Sequence, residues 1–143
     1  MTAKEYLGQA RHLDVCIASK REQIISLNDL ATKCTTVYSD MPKSPNRGTS
    51  RMEEVILQII SLENEMSEDM SALVKLKKEI TETIKAVPNM EYQALLEKRY
   101  LCFDSWEQIA VDMGYEIRYL QKLHKRALQE VRVPISERGH EKT

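Results

Sequence analysis

From Met52 to Val87 an apolar side chain returns every three or four residues: Met52, Ile56, Ile59, Leu62, Met66, Met70, Leu73, Leu76, Ile80, Ile84 and Val87. The spacing averages close to the 3.5-residue repeat of a coiled-coil seam, sustained over ~35 residues. At 1.5 Å per residue such a helix is ~50 Å long. A narrow apolar stripe on so long a rod cannot be satisfied by the rod itself, so another helix has to cover it.

The nearest cover is a first helix, Ala3 to about Thr32, where Leu7, Ala10, Leu13, Ile17, Ile24, Leu27 and Ala31 recur at gaps of three, four or seven. Folding back on the long helix, it makes an antiparallel hairpin but is the shorter arm. Two readings follow: the stripe is covered within one chain, or part of it faces a second protomer. Between the arms, residues 33–50 read as a loop, because Pro42 and Pro45 lack backbone donors and Gly48 with its Ser, Thr and Asn neighbours favours turns. Ser50 with Glu53 three residues on reads as a capping box. Pro88 ends or kinks the long helix. The expected division is therefore a helical hairpin and oligomerisation region at 1–87, a second domain at 88–133 and a flexible tail at 134–143.

Composition supports an all-α protein. The chain of 143 residues is 42% hydrophobic and 30% charged with only 4 Gly and 4 Pro, which favours helices with charged outer faces. Alternating apolar and polar runs bounded by turn pairs are missing, so strands have little support. No apolar stretch approaches the ~20 residues of a membrane span, and the first residues lack a secretory core. The expectation is a cytoplasmic protein with no membrane partner. Cys16, Cys34 and Cys102, like His12, His124 and His140, are too scattered for a local zinc set. No phosphate-binding Gly loop, His-Glu-x-x-His or Gly-x-Ser-x-Gly is present. No cofactor and no enzymatic activity are expected.

The net charge of -1 hides a polarity. Glu53, Glu54, Glu63, Glu65, Glu68, Asp69, Glu79 and Glu82 make the long helix acidic, whereas Arg118, Lys122, Lys125, Arg126 and Arg132 outnumber Glu116 and Glu130 near the end. Local charge sets the field near a ligand.

After Pro88 the pattern breaks into three short helices. Tyr92, Leu95, Leu96 and Tyr100 give the first its apolar face. Asp104 with Glu107, or Ser105 with Gln108, caps the second, whose inner face is Trp106, Ile109, Ala110 and Met113. Gly114 lets that helix stop sharply. The third, about Glu116 to Arg132, buries Leu120, Leu123, Ala127 and Val131. Two short helices with so brief a turn, and small Ala110 at their crossing, form a helix-turn-helix arrangement. In such a unit the second helix enters the major groove, and its outward residues are Ile117, Arg118, Gln121, Lys122 and Lys125. Arg118 suits guanine, Gln121 suits adenine, and Lys122 or Lys125 suits phosphate. Arg99 and Arg126 add candidate backbone contacts.

The run from Leu96 through Ser105–Tyr115 to Val131 resembles the DNA-binding region 4 of bacterial sigma factors, and the small phage regulators of the ArpU and RinA type. Ile109, Ala110, Gly114, Leu120 and Leu123 stand at that family's scaffold positions, with Trp106 beside them. The resemblance implies that Ile117, Arg118, Gln121 and Lys122 contact bases and phosphates. It also implies a transcriptional regulator of phage or prophage genes with double-stranded DNA as partner, while the long apolar stripe favours a second copy of the chain, as a dimer, as the other partner. The stretches Tyr6 to Asp14 and Leu30 to Thr35 are similar to a family of Gram-positive prophage proteins carrying the same C-terminal motif, which supplies no mechanism. Glu116 departs from region 4, where Ser or Thr opens the recognition helix; its carboxylate suits the helix dipole but repels a nearby phosphate. The alternative functions are docking on RNA polymerase, which region 4 also performs, or a part like a terminase small subunit in DNA packaging.

Overall fold

The computed structural model describes residues 1–40 and 45–135, with side chains described for 1–33 and 50–135. Five α-helices and no strand occur among the described residues: α1 (Ala3–Asp40), α2 (Pro45–Lys85), α3 (Met90–Tyr100), α4 (Trp106–Met113) and α5 (Ile117–Gln129). The chain is all-α, as its periodicity predicts. No helix among the described residues is long and apolar enough to cross a membrane.

Helices α1 and α2 are both longer than the sequence suggests. Residues 33–40 continue α1, and α2 begins at Pro45, so 33–50 is largely helical instead of a loop. Residues 33–40 contain no Gly or Pro to stop the helix. Proline in a first turn costs nothing, because its φ is already helical and its missing donor has no partner there. Ser50 consequently lies inside α2 and is not its cap. Residues 41–44, and those of the expected tail from 136 onward, lie outside the described residues.

The chain divides into two compact units, Met1–His12 with Leu73–Thr143, and Leu13–Ala72. In the second, Ile17 and Val55 are the buried apolar residues among those described. Around them Leu13, Ile24 and Leu27 on α1, and Met52, Ile59, Leu62 and Met66 on α2, are half-buried. Lys20 and Asp69 form an ion pair in this row, and the hydrogen bond to Asp69 raises the Lys20 pKa. Val55 and Asp69 thus occupy the inner positions that the apolar repeat assigns to Ile56 and Met70, which are 45% and 48% exposed.

The other unit has two cores. Tyr6, Leu7 and Ala10 of α1 meet Ile80 and Ile84 of α2, Val87, Leu96 and Tyr100 of α3, and Ala127 and Val131 in the first. Leu95, Ile109, Leu120 and Leu123 form the second, edged by Trp106, Ala110 and Met113. Adjacent residues of α3, Leu95 and Leu96, therefore serve different cores, and both are fully buried. Each such side chain contributes about 1.5–3 kcal/mol by leaving water.

Local chemistry sets the short helices. Asn89 caps α3 by accepting from the Glu91 and Tyr92 amides at 2.9 and 3.2 Å. Phe103, in the left-handed region at φ 60°, turns the chain after α3. Ser105 caps α4, accepting from the Gln108 amide at 3.2 Å, which decides between the two caps open in the sequence. Gly114 ends α4 at φ 73° and ψ 32°, and its amide donates to the Ala110 carbonyl at 2.9 Å.

Candidate nucleic-acid interface

Helix α5 is strongly two-sided. Leu120, Leu123, His124 and Ala127 are buried, while Ile117, Arg118, Gln121, Lys122, Lys125 and Arg126 are exposed. Arg118, Gln121, Lys122 and Lys125 follow the i, i+3, i+4, i+7 pattern, so they share one face. Glu116 is the N-cap by backbone geometry, but its carboxylate makes no capping hydrogen bond. The helix therefore starts without a side-chain acceptor from its own cap.

Helix α4 is braced behind this face. Asp112 accepts from Gln108 at 2.9 Å and from Lys98 of α3 at 3.2 Å. Those bonds, Gln108 first, hold its pKa below the usual carboxylate range. Tyr115, just before α5, donates to Glu91 of α3 at 2.5 Å and meets Tyr119 edge to face.

Arg99 is engaged inside the unit as well as facing a cleft. Its guanidinium donates to the Asp104 carbonyl at 3.0 Å and lies 4.7 Å from the Trp106 ring centre. Trp106 is thus half-buried, one edge of the second core and a platform for a cation. Arg99, Gln121 and Lys125 line one cleft of about 740 Å³, and Arg118, Lys122 and Arg126 stand outside it on α5. Of the scaffold positions, Ile109, Leu120 and Leu123 are buried, Ala110 packs at the core edge, and Gly114 has the positive φ expected of it.

Sequence reasoning missed His124. It is buried in the cleft floor, with Nε2 2.6 Å from the Tyr100 hydroxyl and the Trp106 ring edge-on at 4.9 Å. Burial, then the charges of Lys4 and Arg99, push its pKa down to about 4, so the ring is neutral at pH 7. Burial also lifts the Tyr100 hydroxyl to about 12. The available signal was position: His124 lies four residues after Leu120 and three before Ala127, in phase with the buried stripe.

The cleft also draws on α1, through Lys4, Gly8 and Arg11. Among the described residues no cluster of His, Cys, Asp and Glu has a metal-holding arrangement. The chain matches no protein-family model, no curated protein and no solved structure.

Proposed function

We propose that this chain is a sequence-specific DNA-binding transcriptional regulator of phage or prophage genes, acting in the cytoplasm and without enzymatic activity. In this reading α4, the turn at Gly114 and α5 are a helix-turn-helix, following the long N-terminal hairpin, and α5 reads the major groove. The predicted recognition helix, 116–132, corresponds to Ile117–Gln129. The observation that carries the reading is the single exposed face of Arg118, Gln121, Lys122 and Lys125 on a helix anchored by Leu120 and Leu123. Side chains on the outer face of a buried-backed helix are free to meet base edges.

A homodimer through the Leu13–Ala72 unit completes the reading. Ile56, Leu57 and Ile60 are 45%, 65% and 47% exposed on adjoining turns of α2, apolar surface suited to a partner helix. Two copies on two half-sites raise the effective concentration at the second site and offset the modest affinity expected from the Glu116 carboxylate facing phosphate.

The test is selection from random duplexes followed by gel shift at about 100 mM salt, where specific complexes normally persist. Arg118→Ala and Gln121→Ala are expected to relax base preference at single positions by about 1–3 kcal/mol, and Arg132→Ala is not. Recovery of no preferred sequence sinks the proposal. A second reading, docking on RNA polymerase, draws on Val111, Ile117 and Tyr119, which leave 77%, 36% and 44% of their surface exposed on α4 and α5. Polymerase capture that survives loss of Arg118, Gln121 and Lys122 together favours that reading, and a ring-sized particle favours one like a terminase small subunit.

A further inference from the structure

We propose that the cleft lined by α1, α3, α4 and α5 seats the sugar-phosphate backbone of duplex DNA, so that Lys4 and Arg11 of α1 belong to the interface. The inference rests on the DNA-binding reading above and carries that interface beyond α4 and α5.

Charge is the first argument. Lys4, Arg11, Arg99 and Lys125 all line the cleft, and no Asp or Glu does. Four cations gathered without a carboxylate repel one another, and an anion relieves the repulsion. The field reaches the floor of the cleft, where Lys4 and Arg99 help keep His124 uncharged.

The second argument is how the cations are held. Arg11 donates to the Phe103 carbonyl at 3.3 Å and lies 5.6 Å from the Phe103 ring centre. Lys77 lies 4.7 Å from the same ring. Arg99 is fixed in the same way by Asp104 and Trp106. One carbonyl takes up one of the five N–H donors of a guanidinium, which leaves a fork able to meet phosphate oxygens. The cations occupy the aromatic rings, which turns the cleft from a stacking site for a planar ligand into a cationic one.

Continuity is the third. Gln121 and Lys125 line the cleft and stand on the candidate reading face of α5, while Ser105 and Trp106 bring the start of α4 to it. A strand whose bases meet Arg118 and Gln121 runs its backbone past this edge. On α1, Lys4, Gly8 and Arg11 are spaced i, i+4, i+7 and so share a face, with glycine between the two cations.

The experiment uses the full chain with Lys4→Gln and Arg11→Gln together, titrated with its selected duplex from 50 to 200 mM salt. Both side chains are exposed, and a thermal melt checks that the fold is unchanged. Each lost phosphate contact removes about 0.9 from the slope of log affinity against log salt. The expected result is a slope shallower by about 1.8 per protomer, a roughly 10- to 100-fold weaker complex at 100 mM salt, and unchanged base preference. The charge-keeping pair Lys4→Arg and Arg11→Lys is expected to retain most of the slope, and Arg21→Gln in the other unit to leave it alone. If the wild type selects a sequence but the double variant keeps its slope and affinity, the cleft proposal falls while the DNA reading stands. If the wild type binds no duplex, both fall. Calorimetric binding of ATP without DNA, lost in the double variant while its DNA slope stays intact, assigns the cleft to a free phosphate compound and also overturns the proposal.

Discussion

The two units of this chain solve the burial problem unequally. In the unit built from Met1–His12 and Leu73–Thr143, segments of α1 and α2 pack with α3 and α5, and α4 packs on α3 and α5 in a second core, so side chains such as Leu7, Ile84, Leu96 and Leu120 are fully buried. In Leu13–Ala72 the described residues form only two helices, a pair buries one seam, and Val15, Ile25, Ile56, Leu57, Ile60 and Met70 stay about half exposed or more. Helices gain stability from packed faces more than from intrinsic propensity. The first unit is therefore expected to carry most of the monomer's stability, and the second to carry surface for association.

The sharpest way to break that contrast is truncation in each unit. Leu96→Ala is expected to cost about 3–4 kcal/mol, in the range for a fully buried leucine. Ile60→Ala in the other unit is expected to cost under ~0.5 kcal/mol in dilute monomer. Urea unfolding measures both, and equal losses would remove the distinction.

Acid should affect the packed unit next. The unfolded chain protonates His124 near its ordinary value, whereas the folded chain resists until about 4. The depressed value means that stability is intact above pH ~6.5 and declines as pH falls toward 4. About 1–2 kcal/mol is expected from this group, less than the full linkage value because solvent reaches the cleft. His124→Phe should flatten that part of the pH profile; an unchanged profile would remove His124 from the account.

Gly114→Ala is a smaller test of the turn between α4 and α5. An added Cβ would meet nothing within 4 Å, so its cost is the left-handed backbone alone. About 1 kcal/mol is expected in a thermal melt; a loss above ~3 kcal/mol would mean that packing matters there too. Smallest in equilibrium terms, yet direct, is hydrogen exchange. Amides of α2 near Ile60 should exchange faster than those near Leu120, and raising protein concentration should narrow the gap if copies associate.

Much of this was legible because it is local. Ser105, Gly114 and the spacing of Leu120, Leu123 and Ala127 act within a turn or two, and α4 and α5 lie where those residues put them. The seam of α2 was less so. Val55, Ile56 and Leu57 are consecutive apolar residues, and the partner helix decides which turns inward. Asp69 faces in because Lys20 pairs with it, a contact 49 residues away in sequence. Helix ends at 33–50 are not legible because the turn-forming composition there masks the tolerance of a first helical turn for Pro45. The candidate reading face was visible as exposed cations, but the cleft was not. It joins Lys4 and Arg11 to residues about a hundred positions later, and periodicity along one helix says nothing about such a meeting.

The split service of Leu95 and Leu96 has a practical edge for anyone wishing to cut the molecule down. A fragment starting at Pro88 keeps the core around Leu95 but strips Tyr6, Leu7, Ala10, Ile80, Ile84 and Val87 from the other. Leu96, Tyr100, Ala127 and Val131 would then meet water, and the fragment would tend to clump. A piece that keeps both cores is discontinuous along the chain: it needs the opening turns of α1 spliced to the segment from Leu73 to Val133.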